Sequence, residues 1–382
     1  MGSSLHIGIA GAGLMGRLLA YDALQQGWHV TLFDKDTATG TQNCGTVGDG
    51  FLSPYSACAL ESAPPFMVQL GLDALPRWQV LAQNLGFYFQ QEGTVLLAHG
   101  PDTAELDRVH TAMAQNLSTL GKPEDVLKWL DADALQPLEA SLADTFARSM
   151  FVADEGQIEN QHMMPKLAEA IQQHPNAHWH TAANVMQCRP NTIVLEDGTS
   201  QSFDWVLDTR GTGARPDVAR VRGIRGEIIR VRAPEVHISR PVCLIHPRTT
   251  IYIGPRPNHR FVIGASYIES ESMQPVTVQS TLELLSAAFS VHRGFAEATI
   301  DSMLVQCRPA LPDNCPAISH VDGLLRINGL HRNGFMVGPT LAHIATCIIQ
   351  GHPTPAPFTF LVQPGHTIEE NTSQRMREAQ RL

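Results

Sequence analysis

Leu5-His6-Ile7-Gly8-Ile9-Ala10-Gly11-Ala12-Gly13-Leu14-Met15-Gly16 runs from an apolar stretch, the length of one buried strand, into glycines spaced G-x-G-x-x-G. A helical pattern follows from Leu14 to Gln26 and stops at Gly27. His29-Val30-Thr31-Leu32-Phe33 then reads as a second buried strand ending at Asp34. Strand, glycine turn, helix, strand and acid in that order make one βαβ unit of the dinucleotide-binding kind. Gly11 permits the tight turn, Gly13 lets a diphosphate approach the backbone, and Gly16 lets helix and strand pack closely. The helix N-terminus offers free N–H groups and partial positive charge. Asp34 can accept both hydroxyls of an adenosine ribose and disfavours a 2′-phosphate. NAD and FAD satisfy this fingerprint equally.

The chain has 382 residues, which predicts two domains. A hydrophobic content of 43% with 17% charged residues describes a globular protein. Its formal net charge of -10 argues against nucleic acid as a partner. The seven cysteines are dispersed without a C-x-x-C pair, which fits reduced thiols in a cytoplasm. No run reaches membrane-spanning length, and no basic segment marks a signal peptide. The histidine-rich His174-Pro175-Asn176-Ala177-His178-Trp179-His180 lacks the accompanying cysteines or acids of a metal centre, so no metal is expected.

A polar loop of small residues, Lys35 through Thr41 to Gly45, leads to Asp49-Gly50-Phe51, where close-set glycines suggest backbone packed against a flat ligand. Helices are expected over Leu70–Leu85 and Thr103–Leu120, from Pro123 through Val126, Leu127 and Leu130, over Met164–Gln172 and Val278–Phe289, and from about Pro339 to Ile349. Hairpins are expected around Gln91-Glu92-Gly93, from Tyr88-Phe89 to Leu97-Ala98, and around Asp197-Gly198, between Thr192–Leu195 and Phe203–Leu207. Segments from Gly226 to Ile263 are β-rich and spaced for an antiparallel sheet. The fold class is α/β, with the βαβ domain interrupted by an inserted, mostly antiparallel sheet that helices flank. The nucleotide part takes residues 1–75, 146–215 and 305–382; the inserted part takes 76–145 and 216–304. A ligand between them is the default expectation.

Four further blocks carry a resemblance. They are Arg222-Gly223-Ile224-Arg225-Gly226-Glu227, Tyr252-Ile253-Gly254-Pro255-Arg256 with Val262-Ile263-Gly264-Ala265-Ser266, Arg308-Pro309-Ala310-Leu311-Pro312-Asp313, and Leu330-His331-Arg332-Asn333-Gly334-Phe335-Met336. In this order the chain resembles the D-amino-acid oxidase family of FAD enzymes, with their glutathione-reductase type of FAD-binding domain. It looks most like the branch that oxidises glycine for thiamine synthesis. The resemblance implies non-covalent FAD, with Gly11, Gly13, Leu14, Met15 and Gly16 on the diphosphate and Asp34 and Lys35 at the ribose. Cys44, Gly45, Asp49, Gly50 and Phe51 would lie along the ribityl chain and ring, and Val185 would meet the adenine through its backbone. Leu330, His331, Arg332, Asn333, Gly334, Phe335 and Met336 would wrap the pyrimidine side.

For the substrate, the resemblance implies Arg308 as a bidentate clamp on an α-carboxylate, with Tyr252 adding a hydroxyl and Arg332 nearby. The implied reaction passes a hydride from the Cα of glycine or a similar amino acid to flavin N5. O2 then takes the electrons as hydrogen peroxide, and the imine yields glyoxylate or feeds a thiazole synthase. A homo-oligomer is implied as well. Asp49 stands where the family has alanine. Alternatives within the family are a sarcosine or D-amino-acid oxidase, a dehydrogenase using another acceptor, or a flavin-binding partner protein without turnover.

Overall fold

The computed structural model describes residues 4–40, 42–246 and 249–365. Thr41 of the polar loop and the stretch beyond residue 365 lie outside them. The first strand, β1 (His6–Ala10), lies in the middle of a seven-stranded sheet. It pairs in parallel with β2 (His29–Phe33) on one side and with Trp205–Asp208 on the other. Helix α1 (Leu14–Gln25) joins β1 to β2 and buries Leu14, Met15, Leu18, Leu19, Ala23 and Leu24, the stripe a helix of 3.6 residues per turn presents to a sheet. The turn between them explains two glycines. Gly11 takes φ +95, and a Cβ on Gly16 would overlap the Gly11 carbonyl.

The second sheet has eight strands. Its order is Thr299–Ala310, Arg222–Arg232, Arg260–Gly264, Thr249–Arg256, Val242–His246, Thr94–Leu97, Arg148–Val152 and Leu127–Asp131, antiparallel except where Val242–His246 meets Thr94–Leu97. Both faces are buried, and the period of two sorts them. Val95, Leu97, Val242, Leu244, Ile251, Ile253, Phe261 and Ile263 form a core of their own beneath helix Val278–Val291. Leu96, Cys243, Tyr252 and Val262 point the other way, into the larger core shared with the first sheet. Alternation alone therefore aims Tyr252 at the junction of the two sheets.

Several local expectations give way to long-range pairing. The segment from Pro123 is not a helix. After a short turn, Leu127–Asp131 is a strand because Arg148–Val152 offers it a partner. Phe89–Gln90 and Thr94–Leu97 do not form a hairpin; the first joins Gly156–Ile158, the second the eight-stranded sheet. The turn at Asp197-Gly198 joins Thr192–Leu195 to Ser200–Ser202, leaving Trp205–Asp208 to lie beside β1. Strand Arg148–Val152, assigned from sequence to the nucleotide part, belongs to the eight-stranded sheet, and Thr299–Ala310 runs through the boundary drawn at 304/305. The last helix spans Gly334–Ile349 and so begins inside the segment expected to wrap a flavin.

Candidate active site

A cavity of about 1120 Å³ runs between the two sheets, larger than the roughly 300–1,000 Å³ of ordinary small-ligand sites. One end is the β1–α1 turn. Gly11, Gly13, Leu14, Met15, Asp34 and Lys35 line it there. Gly13 has no atom within 4 Å of where a Cβ would stand, so the space over its backbone is open to a ligand. The N-terminus of α1 carries no side-chain cap and no acid in its first turn, which leaves its N–H groups for an anion. The Asp34 carboxylate accepts the N–H of Ala12 and, at 2.8 Å, that of Asp36, fixing its position at the cavity edge.

At the far end a second helix N-terminus opens on the same space. Helix Gly334–Ile349 likewise lacks a side-chain cap and a first-turn acid. Leu330, His331, Arg332, Asn333, Gly334, Phe335 and Met336 all face the cavity. Glu61, which the sequence did not single out, organises this loop. Its carboxylate meets Arg332 at 3.2 Å and accepts from Asn333 at 3.3 Å. Burial opposes the charge on Arg332, but Glu61, with Tyr252 and Asp49, holds that guanidinium above its ordinary pKa. His331 sits at φ 51 with both ring nitrogens buried and, among the described residues, without hydrogen-bond partners. Burial, reinforced by Arg332, Arg308 and Arg222, drives its pKa down to about 3, so the ring is neutral.

The segment Cys44–Phe51 forms the long wall and is held from behind. Asn160 donates to the carbonyls of Gly45, Thr46 and Gly48 at 2.8, 2.9 and 2.9 Å. Arg230 donates to the Gly48 carbonyl at 2.9 Å, and Arg256 to that of Asp49. Buried Glu159 faces both guanidinium groups, at 3.5 Å from Arg230 and 3.7 Å from Arg256. Cys44, Gly45, Asp49 and Phe51 line the cavity; Gly50 does not, and its φ of +74 makes the turn that presents its neighbours. Burial pushes the Cys44 thiol up to about 12 and raises Cys307, so both remain thiols and poor nucleophiles.

Arg308, Tyr252 and Phe51 meet on the remaining wall. Arg308 stands opposite Ile224 in the strand pair, and its guanidinium lies over Gly226, where a Cβ would collide with it. That is why the Arg222 block needs glycine there. Arg308 donates to the Ser266 carbonyl at 3.2 Å and, among the described residues, has no carboxylate partner. Burial and the nearby Arg332 bring its pKa down to about 10, still charged at neutral pH, while Asp49 works against the shift. The Tyr252 hydroxyl is buried and, among the described residues, has no hydrogen-bond partner, and its ring stands 5.1 Å from that of Phe51. An uncompensated cation and an orphaned hydroxyl facing one space fit a carboxylate.

Besides Gly50, two expected contacts lie elsewhere. Gly16 is packed behind the turn, and Val185 is outside the cavity with its carbonyl accepting from Arg210 at 3.1 Å. Arg210, Asp208, Asp217 and Arg326 form a buried ionic cluster, with Arg326 at 2.6 Å and Arg210 at 2.8 Å from Asp208. Cys188 completes a metal-sized trio with the two acids, but guanidinium groups fill its coordination space.

Comparison with known proteins agrees with this geometry. A family model described as FAD dependent oxidoreductase (DAO) matches residues 6–348. A Rhizobium etli protein, provisionally named as the thiamine biosynthesis oxidoreductase ThiO, is 34% identical over 339 residues, covering 88% of this chain and 94% of its own. A bifunctional ThiO/ThiG protein of Trichormus variabilis is 23% identical over 352 residues, 90% of this chain and 52% of the longer one. The crystal structure of glycine oxidase from Geobacillus kaustophilus superposes with TM-score 0.78 at 21% identity, covering 93% of this chain and 98% of that one.

Proposed function

The chain belongs to the DAO family of FAD-dependent oxidoreductases, and from that premise we propose that it oxidises a small amino acid, glycine or an N-substituted analogue. FAD, when bound, would supply the two-electron acceptor, with O2 as the final oxidant. The rest of the work falls to the residues in place. Gly13 and the first turn of α1 receive the diphosphate, Asp34 the ribose, and the N-terminus of helix Gly334–Ile349 the electron-rich end of the ring. Arg308 holds the substrate carboxylate, with Tyr252 beside it. Neutral His331 adds a buried donor and acceptor without adding charge. Phe51, Leu330 and Met336 keep water from the reacting carbon.

The observation that carries this reading is Arg308, a charged guanidinium facing the cavity with no carboxylate of its own among the described residues. Arg332 is not equivalent, because Glu61 already neutralises it. The products would be hydrogen peroxide and an imine that hydrolyses to glyoxylate. A thiazole synthase is the proposed consumer, supported by the ThiO/ThiG protein that joins both names in one chain. Among the described residues no cysteine is in a disulfide, which supports a reducing, cytoplasmic setting, and a homo-oligomer is our working assembly. Among the described residues no helix is long and apolar enough to cross a membrane.

The test is aerobic incubation of the purified yellow protein with glycine and with sarcosine. Equimolar oxygen uptake, peroxide and glyoxylate support the reading. No oxygen uptake and no flavin reduction with any small amino acid overturns it. Rapid flavin reduction with slow oxygen uptake assigns the same site another electron acceptor.

A further inference from the structure

One acid on the cavity wall has no part in the mechanism above. Asp49 is half-buried and lines the cavity. Its side chain accepts the Phe51 N–H at 3.5 Å, the outer limit of a hydrogen bond, and among the described residues it forms no salt bridge. The four guanidinium groups that feel its charge are each turned to something else. Arg230 and Arg256 face Glu159 and hold the Gly48 and Asp49 carbonyls from behind the wall. Arg332 pairs with Glu61, and Arg308 donates to the Ser266 carbonyl.

The strand register sets this acid across from Arg308. Gly226, Ile228 and Arg230 share one face of strand Arg222–Arg232, as Tyr252, Gly254 and Arg256 do on strand Thr249–Arg256. Ile228 and Tyr252 both pair with Gly264, so they form one row across the sheet, and both line the cavity. One row to one side, the Arg308 guanidinium lies over Gly226. One row to the other, Arg230 meets the Gly48 carbonyl and the Phe51 ring lies over Gly254. Gly226 and Arg230 are about 13 Å apart along the strand. Arg308 and the segment carrying Asp49 therefore flank the Ile228–Tyr252 row from opposite ends, a cation without a carboxylate at one and a carboxylate without a cation at the other.

An α-amino acid carries its carboxylate and its ammonium two bonds apart. Resting on the carboxylate clamp proposed above, we propose that Asp49 is the specificity-determining residue for the amino group. With the substrate carboxylate on Arg308 and its carbon over Ile228 and Tyr252, the ammonium donates to the Asp49 carboxylate. A hydroxy acid offers Asp49 no charge, and a second carboxylate at that end is repelled. The same contact shapes the pH dependence. Cα releases its hydride, with the electron pair, to the acceptor named above only when the nitrogen lone pair is free to form the C=N bond, so one ammonium proton first leaves to water. Asp49 favours the ammonium and so raises the pKa of the bound amine, against the opposing charges of Arg308, Arg332, Arg230 and Arg256.

The test compares FAD-loaded wild type, Asp49→Asn and Asp49→Ala. Acetate affinity is read from the visible spectrum. Glycine and sarcosine affinities are read from the concentration dependence of anaerobic bleaching, or from the same spectral shift if they bind without bleaching. Both variants should weaken the amino acids by about 10- to 100-fold, the worth of a hydrogen bond between charged groups. Acetate should bind as tightly as in wild type or more so, because a negative charge near Arg308 is gone. At saturating amino acid, the rise of bleaching rate with pH should have its midpoint about one pH unit lower in Asp49→Asn. Acetate lost in step with glycine makes Asp49 a structural part of the wall and overturns the assignment. Variants that bind the amino acids as wild type does, a wild type that binds neither of them, or an unmoved midpoint overturn it too. Amino acids that bind in the expected pattern without bleaching leave the assignment standing and overturn the oxidation reading instead, so each can fail alone.

Discussion

The indole N–H of Trp78 donates to the carbonyl oxygen of Phe335 at 2.7 Å, in the interior of the protein. In an α-helix that carbonyl awaits the N–H of the residue four positions on, which here is Pro339. Proline has none to give, so a tryptophan from helix Pro65–Leu85 supplies it. This is how a helix with proline in its second turn can start as early as Gly334 and aim its N-terminus at the cavity.

Trp78→Phe keeps most of the volume and removes that donor. The cost should be about 1–3 kcal/mol for an unsatisfied buried carbonyl. A lowered Tm together with weaker FAD binding checks it, because Phe335 and Met336 line the cavity. Unchanged FAD affinity would show that the helix start does not depend on this bond.

Gly226→Ala places a methyl group where the Arg308 guanidinium lies. The strand pair on either side is intact and its φ is ordinary, so the fold and the bound FAD should survive. Displacing the clamp by even an ångström should lower kcat/KM for the amino acid on the order of a hundredfold. Steady-state kinetics beside a thermal melt separate this outcome from misfolding.

Asp34→Ala removes the acceptor for the Ala12 and Asp36 N–H groups and for the proposed ribose contact. FAD affinity should fall by about 10- to 100-fold, the loss of a hydrogen bond to a charged group. Fluorescence titration of the apoprotein with FAD measures it; substrate affinity of the fully loaded variant should stay as in wild type.

Glu155 makes a stability prediction whose sign can be worked out. Its folded pKa, raised by burial to about 7, lies above the ordinary 4.5 of a solvated glutamate, so the folded state binds the proton more tightly than the unfolded chain. This contribution is fully present below about pH 4.5 and is lost as pH rises through about 7; at most it is about 3 kcal/mol. Glu155→Gln cannot lose a proton. The Tm of the variant minus that of wild type should therefore become more positive from about pH 5 to 8, as read by thermal melts across that range.

The βαβ unit was legible in the sequence because everything it needs is local. Apolar runs, glycine spacing and the acid after β2 lie within about thirty residues, and each element's period shows on its own. The cavity walls around Arg308 and Leu330–Met336 were reached through the family blocks. What escaped depends on partners far along the chain. Asn160 and Arg230 hold the carbonyls of residues 45–48 from more than a hundred positions away. Glu61 acquires its role only because the loop at Arg332 and Asn333 folds onto it. Arg17 sits in an apolar helix as if misplaced, yet its guanidinium donates to the carbonyls of Ala12, Met164 and Ala38. At Gly93 no hairpin forms, and at Gly198 the hairpin closes on Ser200–Ser202 instead of Phe203–Leu207, because turn residues announce a reversal without naming the strand that will be paired. The last helix was read too short because Pro339 looks like a first-turn proline until Trp78 is seen.

The central claim is that Arg308 grips the carboxylate of an amino acid in a cavity that holds FAD. The most direct measurement is anaerobic rapid mixing of FAD-loaded wild type and of Arg308→Met with increasing glycine and sarcosine, following the flavin absorbance. The account predicts saturable bleaching of wild type by at least one of them, and a yellow, folded variant that bleaches more slowly by on the order of a hundredfold or more. A variant that bleaches as readily as wild type, or a wild type that no small amino acid bleaches, would contradict it.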